Sequence, residues 1–475
     1  MPELFLIFAP AAPEMLLMLG STYLLLGPPS TRLPYFYILL TCVLILLLQD
    51  RNIGLNVIEE CLDPTASTTT FSGMFVVDCF IKIQKITICV WTLLYMLVTS
   101  KDKKFGGDEL FAIATIIVGS MLALSAKDFT LLFLGYEFVS FGAIIFLKSV
   151  AKEILTKVFI IFGIGTALIL FGASIFYTVF RSMDFFILAS KFLEVGAQPL
   201  IHFAIILLLL GLFAKTLYVP FHGLCMETAE KTEIATFMFV IFVKNLLTFS
   251  VMARFLTLFH CETVRYALFI SGFCGMALGF FGAIRQNQIK SILACHLIGT
   301  MGMLQFGFAA LHISVVSSCL IMLFASGLSL LIILGGILLL ERKGRKIVTV
   351  SNLHLVRGTS SLGTFLLGFG ALSLVNMIPS PNFVHFFNFS MNFVNEGAFG
   401  LLVLMSFLKL ISMAVGLKFV QALISNQEEF SHSKTIIFPT TSIGICLALV
   451  MWIIYSDNVA SIFTLAEATL RCFPG

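Results

Sequence analysis

The chain has 475 residues, of which 59% are hydrophobic and 11% charged, with a mean hydropathy of +1.05 and a formal net charge of +4. So little polar surface cannot coat a water-soluble globule of this size, which excludes a soluble enzyme or binding module and leaves a polytopic membrane protein. The small basic excess excludes an electrostatic grip on nucleic acid: Lys101, Lys103, Lys104, Arg342, Lys343, Arg345 and Lys346 stand in breaks between apolar runs, where they orient helix ends.

Apolar runs of about 17 to 28 residues, bounded by charge or by Pro and Gly clusters, predict an all-α protein with about fourteen spanning helices. In chain order they cover 11–27, 33–49, 75–99, 108–126, 129–149, 154–180, 200–222, 232–258, 264–284, 288–309, 312–340, 360–380, 396–424 and 436–455. The polar stretch 50–72 between the second and third spans reads as an extramembrane loop. Shorter breaks at 100–108 and 341–352 carry most of the exposed Lys and Arg. No block reads as a separate soluble domain, so 1–475 forms a single membrane domain. The eleven cysteines show no CxxC pair or finger spacing and serve as small hydrophobes, so no iron–sulfur cluster, zinc or haem is expected in this chain. The N-terminus shows no basic region followed by a small-residue cleavage site, so no removable leader is expected. An integral protein of this kind is made inside the compartment whose membrane it enters, a bacterium or a mitochondrion, and the 51 phenylalanines suit a mitochondrially encoded subunit.

The informative residues are charges inside these runs. Glu137 stands about eight residues from either end of its apolar run, so its carboxylate must either hold a proton or be kept ionised by a nearby cation. Lys157 lies near the start of the next span. Lys215 follows an unbroken apolar run from Phe203 to Ala214, where a charge costs roughly 2.5–3.5 kcal/mol on insertion scales. Pro220 cannot donate to the carbonyl of Thr216, which breaks the helix beside Lys215, and broken helices inside membranes line cavities. Lys244 falls near the middle of the following span. With Glu137 and Lys215 about 8 Å apart at an effective dielectric near 20, Coulomb's law gives roughly 2 kcal/mol, enough to move a proton when the pair separates. His222 either relays that proton between the two lysines or caps carbonyls freed by the proline. Lys290 and His296 are the next candidates, with Lys290 equally readable as a snorkelling residue at the membrane edge. His385, Glu396 and Lys409 are the ionisable groups left to complete a path in the C-terminal third. Static ion pairs that only fix packing are the bland alternative for each of these charges.

A weak internal echo accompanies them. The seventh span ends in YVPFHG and the twelfth in NMIPSPNFVHFF, each a long apolar helix meeting proline near a histidine. Two five-helix units, 108–258 and 264–424, would put two broken helices in corresponding places, the pattern of inverted-repeat transporters, with 1–107 and 425–475 as flanking helices. No phosphate-binding GxxxxGK[ST], dinucleotide GxGxxG, HExxH or nucleophile triad is present, so no covalent chemistry is expected in this chain.

The stretches APEMLLMLGSTYLLL (with Pro13 and Glu14), FVVDCF (around Asp78), DELFAIATIIVGSMLALSAKDFTLLFLGYEF, KEILTKVFIIFGIGTALILFGASIFY, LFAKTLYVPFH, FVKNLL and IRQNQIKSILACHLIGTMGM together resemble the antiporter-like membrane subunits of respiratory complex I. The likeness is to the subunit 2 branch, while the last stretch and ASGLSLLIILGGILLLERKGRKI also look like the subunit 4 branch. The resemblance implies fourteen helices in two inverted five-helix repeats and a proton channel whose mid-membrane Glu, broken-helix Lys and further Lys fall on Glu137, Lys215 and Lys244. It implies no cofactor in this chain, with NADH, FMN, iron–sulfur clusters and ubiquinone held by other subunits. Its implied partners are other complex I membrane-arm subunits and lipid, and its implied seat is the mitochondrial inner membrane, or a bacterial plasma membrane. The chain departs from the pattern after VPFH, where GLCMETAEKTEIAT keeps only Glu227 and Glu230 of an acidic loop, and in the twelfth span, where NFVHFFNF offers His385 in place of the charge expected after the prolines. A structural subunit with a degenerate channel, or a free-standing cation/proton antiporter, are the rival expectations.

Overall fold

The computed structural model describes residues 9–49, 68–70, 73–100, 105–148, 150–195, 198–259, 261–309, 313–341, 348–353, 360–378, 380–395, 397 and 399–424. Almost all of these are helical. In chain order the α-helices are α1 Ala12–Leu26, α2 Pro29–Gln49, α3 Cys79–Thr99, α4 Gly107–Leu124, α5 Phe129–Phe146, α6 Lys152–Phe180, α7 Phe185–Val195, α8 Pro199–Thr216, α9 His222–Lys231, α10 Ile234–Leu258, α11 Glu262–Arg285, α12 Ile289–Phe308, α13 Ile313–Glu341, α14 Ser361–Leu374, α15 Pro381–Asn395 and α16 Phe399–Ile424. Among the described residues, ten helices are long and apolar enough to cross a membrane by length and composition. Thr68–Thr70 pairs antiparallel with Phe75–Val77 to form a small two-stranded ribbon before α3.

Side chains at the chain's polar breaks start several helices. Asp78 accepts from Ile81 N to open α3, Asp128 from Leu131 N to open α5, and Ser360 from Gly363 N to open α14, each occupying a donor left free by the first helical turn. α10 and α12 are buried along nearly their whole length, whereas α6, α11 and α16 bury only about a third of theirs. The outer faces of these three expose large apolar side chains such as Phe159, Tyr266 and Phe407, which suits lipid tails better than water.

Close helix contacts depend on glycine at particular places. A Cβ on Gly279 would stand 2.2 Å from Gly299 N and 2.6 Å from Cys295 O, so α11 and α12 meet backbone to backbone. A Cβ on Gly211 would stand 2.8 Å from Gly165 O, which is how α8 approaches α6.

Both long helices that meet proline end before it. α8 stops at Thr216, where Leu217 turns left-handed (φ 56°), its N–H bonding to Ala214 O and that of Tyr218 to Phe213 O. α14 stops at Leu374, where Asn376 turns left-handed (φ 57°), with Asn376 N bonding to Ser373 O and Met377 N to Leu372 O. The same closing motif satisfies the last carbonyls at both ends. A short helix follows each break, α9 and α15. A second correspondence ties the starts of α5 and α12 to the segments after α6 and α13. Phe129 N bonds to Met183 O and Phe185 N to Lys127 O, while Ile289 N bonds to Val348 O and Val350 N to Asn287 O.

The structure corrects several expected boundaries. The span 75–99 opens as strand, since Val76 and Lys127 hydrogen-bond across to Ser125 and Met74 and leave the helix to start at Cys79. The spans 200–222 and 360–380 each lose their last few residues to the left-handed turn. Three short helices, α7, α9 and α15, occupy segments expected as breaks or span ends. The span 436–455, nearly all of the loop 50–72, Glu396, and the basic groups 101–104 and 342–346 lie outside the described residues.

Candidate functional site

Glu137 and Lys215 meet directly. Lys215 Nζ lies 2.7 Å from Glu137 Oε1 and donates also to Ser140 Oγ at 3.1 Å, while Thr166 Oγ1 donates to the same carboxylate oxygen. The expected separation of about 8 Å is replaced by contact: α6 and α8 meet closely at Gly165 and Gly211, which sets Lys215 Cγ against Gly165, and α5 packs against α6. The lysine side chain is 1% exposed and the glutamate 23%, so the cation is enclosed while the carboxylate keeps an open edge. The helix ends one residue after Lys215, which leaves the ammonium beside an irregular backbone within the bundle.

Lys244, on α10, is 3% exposed, and its amine has no hydrogen-bond partner among the described residues. It sits 3.3 Å from the centroid of the Phe162 ring, a cation–π contact that offsets part of the cost of burial. It lies close enough to Lys215 and Glu137 to feel their charge. The structure therefore brings together three of the candidates, two paired with each other and one without a hydrogen-bond partner among the described residues.

The other candidates divide. His296 is buried on α12, its Nε2 3.0 Å from Leu374 O and its Nδ1 3.4 Å from Ser412 Oγ. Lys409 is 1% exposed on α16, with no hydrogen-bond partner among the described residues and with its amine 5.5 Å from the Phe280 ring and 5.8 Å from that of Phe386. His222 is half-buried at the start of α9, and its Nδ1 makes no hydrogen bond among the described residues. Lys290 donates to the backbone carbonyl of Thr232, beside Ser291, whose hydroxyl donates to Glu230 Oε1 at 2.9 Å. Lys157 is exposed and pairs at 3.0 Å with both Glu153 and Glu227, apart from the enclosed groups. His385 is buried on α15.

Sequence reasoning overlooked one buried pair. Glu14 on α1 and Lys85 on α3 meet as an ion pair with side chains 2% and 0% exposed, and the Lys85 amine lies 4.8 Å from the Phe75 ring. Glu14 carried only a resemblance, and Lys85 lies early enough in its span to pass for an interfacial lysine. Ser140, Thr166 and Phe162 were missed too, since no spacing in a single chain announces which neighbours a distant helix will supply.

Three comparisons with known proteins bear on this arrangement. The family model described as NADH:quinone oxidoreductase/Mrp antiporter, TM, matches residues 126–412. The NADH-quinone oxidoreductase subunit N of Parvibaculum lavamentivorans is 25% identical over 356 residues, covering 72% of this chain and 74% of the relative. Among solved structures, a chain of respiratory complex I from Thermus thermophilus matches with a TM-score of 0.76 and 16% identity, covering 99% of this chain and all of its own. A chain of the Mrp complex from Dietzia sp. matches with a TM-score of 0.73 and 14% identity, covering 98% of this chain and 96% of that one. At such low identity the two structures speak for the fold alone, and they carry that fold over almost the whole length.

Proposed function

The chain belongs to the family of transmembrane subunits described as NADH:quinone oxidoreductase/Mrp antiporter, and from that membership we propose that it is a proton-translocating, antiporter-like subunit in the membrane arm of respiratory complex I. Its partners are other membrane-arm subunits, and it contributes to an NADH:quinone oxidoreductase by assembly with them. The subunit 2 branch is favoured over subunit 4 by the relative named subunit N. The reading gives NADH, FMN, iron–sulfur clusters and ubiquinone to other subunits and leaves proton movement to this one. It places the chain in the mitochondrial inner membrane on its phenylalanine-rich composition, with the bacterial plasma membrane favoured by its bacterial relatives. The paired closing turns at Leu217 and Asn376 support treating 108–258 and 264–424 as two repeats.

The observation that carries the reading is the Glu137–Lys215 pair, enclosed beside a helix break and next to the unpaired Lys244. At an effective dielectric of 20, Coulomb's law gives about 6 kcal/mol at contact and about 2 at 8 Å. Opening the pair therefore destabilises the Lys215 ammonium by about 4 kcal/mol in the Coulombic part alone. Moving one charge against 100 mV costs about 2.3 kcal/mol, so a separation of a few ångström suffices to expel a proton toward Lys244. Redox chemistry elsewhere in the assembly would supply the opening, and closing the pair would reload the lysine.

Lys244→Met tests this. The substitution removes a buried amine that has no hydrogen-bond partner among the described residues and replaces it with an apolar side chain of similar length, so the assembled complex should be as heat-stable as the parent or more so. Proton transport into reconstituted vesicles, per NADH oxidised, should nonetheless fall by about tenfold or more. Undiminished transport would remove Lys244 from the path. A second reading, cation/proton exchange, is favoured by the Mrp antiporter half of the family description. The same vesicles decide it: transport that proceeds unchanged without sodium or potassium supports proton pumping, and transport that requires one of them supports exchange.

A further inference from the structure

Polar contacts at two levels fix α10, which carries Lys244, against α5, which carries Glu137. The Tyr136 hydroxyl and Thr248 Oγ1 share a buried hydrogen bond at 3.1 Å. Tyr136 immediately precedes Glu137, and Thr248 lies four residues beyond Lys244, one turn along the same helix face. Ten residues beyond Lys244, about 15 Å along α10, the buried Arg254 donates to Leu124 O at 2.6 Å and to Ala126 O at 3.3 Å. Those carbonyls stand at the end of α4 and in its link to α5, just ahead of Asp128, which caps α5. α10 is thus held to α5 beside the charged groups and again at the foot of α5.

Lys215 is held differently. Its helix, α8, packs against α6 at Gly165 and Gly211 and reaches α5 through the Lys215 amine, which donates to Glu137 Oε1 and Ser140 Oγ. These are the bonds that open when the ion pair separates. Ser140 in turn donates to Tyr136 O at 2.8 Å. Tyr136 is therefore tied through its hydroxyl to the helix of Lys244, and through its carbonyl to the serine that Lys215 leaves.

We propose that Tyr136 and Thr248 are positioning residues: their hydrogen bond, with the Arg254 clamp, keeps Lys244 at a constant reach from Glu137, so that the ion pair opens by displacement of Lys215 with α8 while α5 and α10 stay together. The inference rests on the proton-transfer reading of Glu137 and Lys215 and adds to it which helix moves. Apolar packing between two helices tolerates small slides and turns, whereas a satisfied buried hydrogen bond admits one register. Without that bond α10 shifts on α5, and Lys244 leaves the place where a proton expelled from Lys215 reaches it. A misplacement of about 1 Å is enough to slow a transfer between fixed groups.

Five variants of the assembled complex, reconstituted in vesicles, test this: Tyr136→Phe, Thr248→Val, the two combined, Thr248→Ser and, for the reading beneath, Lys215→Met. The readouts are heat stability and proton transport per NADH oxidised. Thr248→Val strands the buried Tyr136 hydroxyl and should lower stability, and adding Tyr136→Phe removes the stranded group, so the double variant should regain most of that loss. Transport should fall about fivefold in each single variant and stay there in the double, because the first change already breaks the bond. Thr248→Ser keeps the hydroxyl and should transport at the parental level. Transport that recovers together with stability in the double variant reduces the bond to packing and overturns the inference. Parental transport in Tyr136→Phe, or Thr248→Ser as impaired as Thr248→Val, overturns it alone when Lys215→Met is impaired. Parental transport in Lys215→Met overturns the reading beneath it and this positioning with it. Should Thr248→Val fail to assemble, Tyr136→Phe and the double variant are judged by the same criteria.

Discussion

Membranes carrying Lys215→Met are expected to contain the assembled complex at near-parental levels and to oxidise NADH, yet to transport protons about tenfold more slowly or worse. Removing the lysine leaves Glu137, whose side chain is 23% exposed and can hold a proton or meet water, so the fold tolerates the change. Glu137→Gln is the harsher substitution for stability. It strands an ammonium that is 1% exposed, and breaking a buried pair from that side costs about 3–5 kcal/mol. The two variants should thus agree in lost transport and differ in the amount of chain that survives in the membrane. Equal losses of assembly with normal transport per assembled complex would reduce the pair to a packing device.

Gly279→Val should abolish assembly. The first added carbon would stand 2.2 Å from Gly299 N, a backbone atom that cannot turn aside, so α11 and α12 would have to part along the contact that places His296. Overpacking typically costs about 1–3 kcal/mol, and a clash with rigid backbone belongs at or above the top of that range. Gly163→Val, on an outward face of α6 where an added Cβ meets nothing within 4 Å, is the control and should leave the amount of chain in the membrane unchanged. Blotting the membrane fraction reads both, and a stable Gly279→Val protein would show that the two helices can separate without loss.

The sequence made the principal charges visible for a simple reason. A carboxylate or ammonium inside an apolar run is costly, so Glu137, Lys215, Lys244 and Lys409 each stand out without knowledge of neighbours. Pairing was less legible. Nothing in the local pattern places Glu137 on Lys215, because that contact joins helices 78 residues apart in the chain. The helix break was foreseen from Pro220 but begins earlier, at Leu217, a residue that seldom adopts a left-handed backbone and so carries no warning. The Glu14–Lys85 pair escaped for the same reason as Glu137–Lys215, since its members stand on separate helices with no spacing that links them. Which helix faces meet lipid was unreadable in principle, as lipid and core select equally apolar residues.

The central claim is that the Glu137 carboxylate gives up and regains its ion pair with Lys215 as the assembly turns over. Infrared difference spectroscopy of the complex during NADH oxidation reads a carboxylate directly through its stretching bands, which move when an ion pair opens. A transient shift of carboxylate bands that is absent in Glu137→Gln is the expected result. A spectrum with the same carboxylate bands in parent and variant, at full proton transport by the parent, would contradict it.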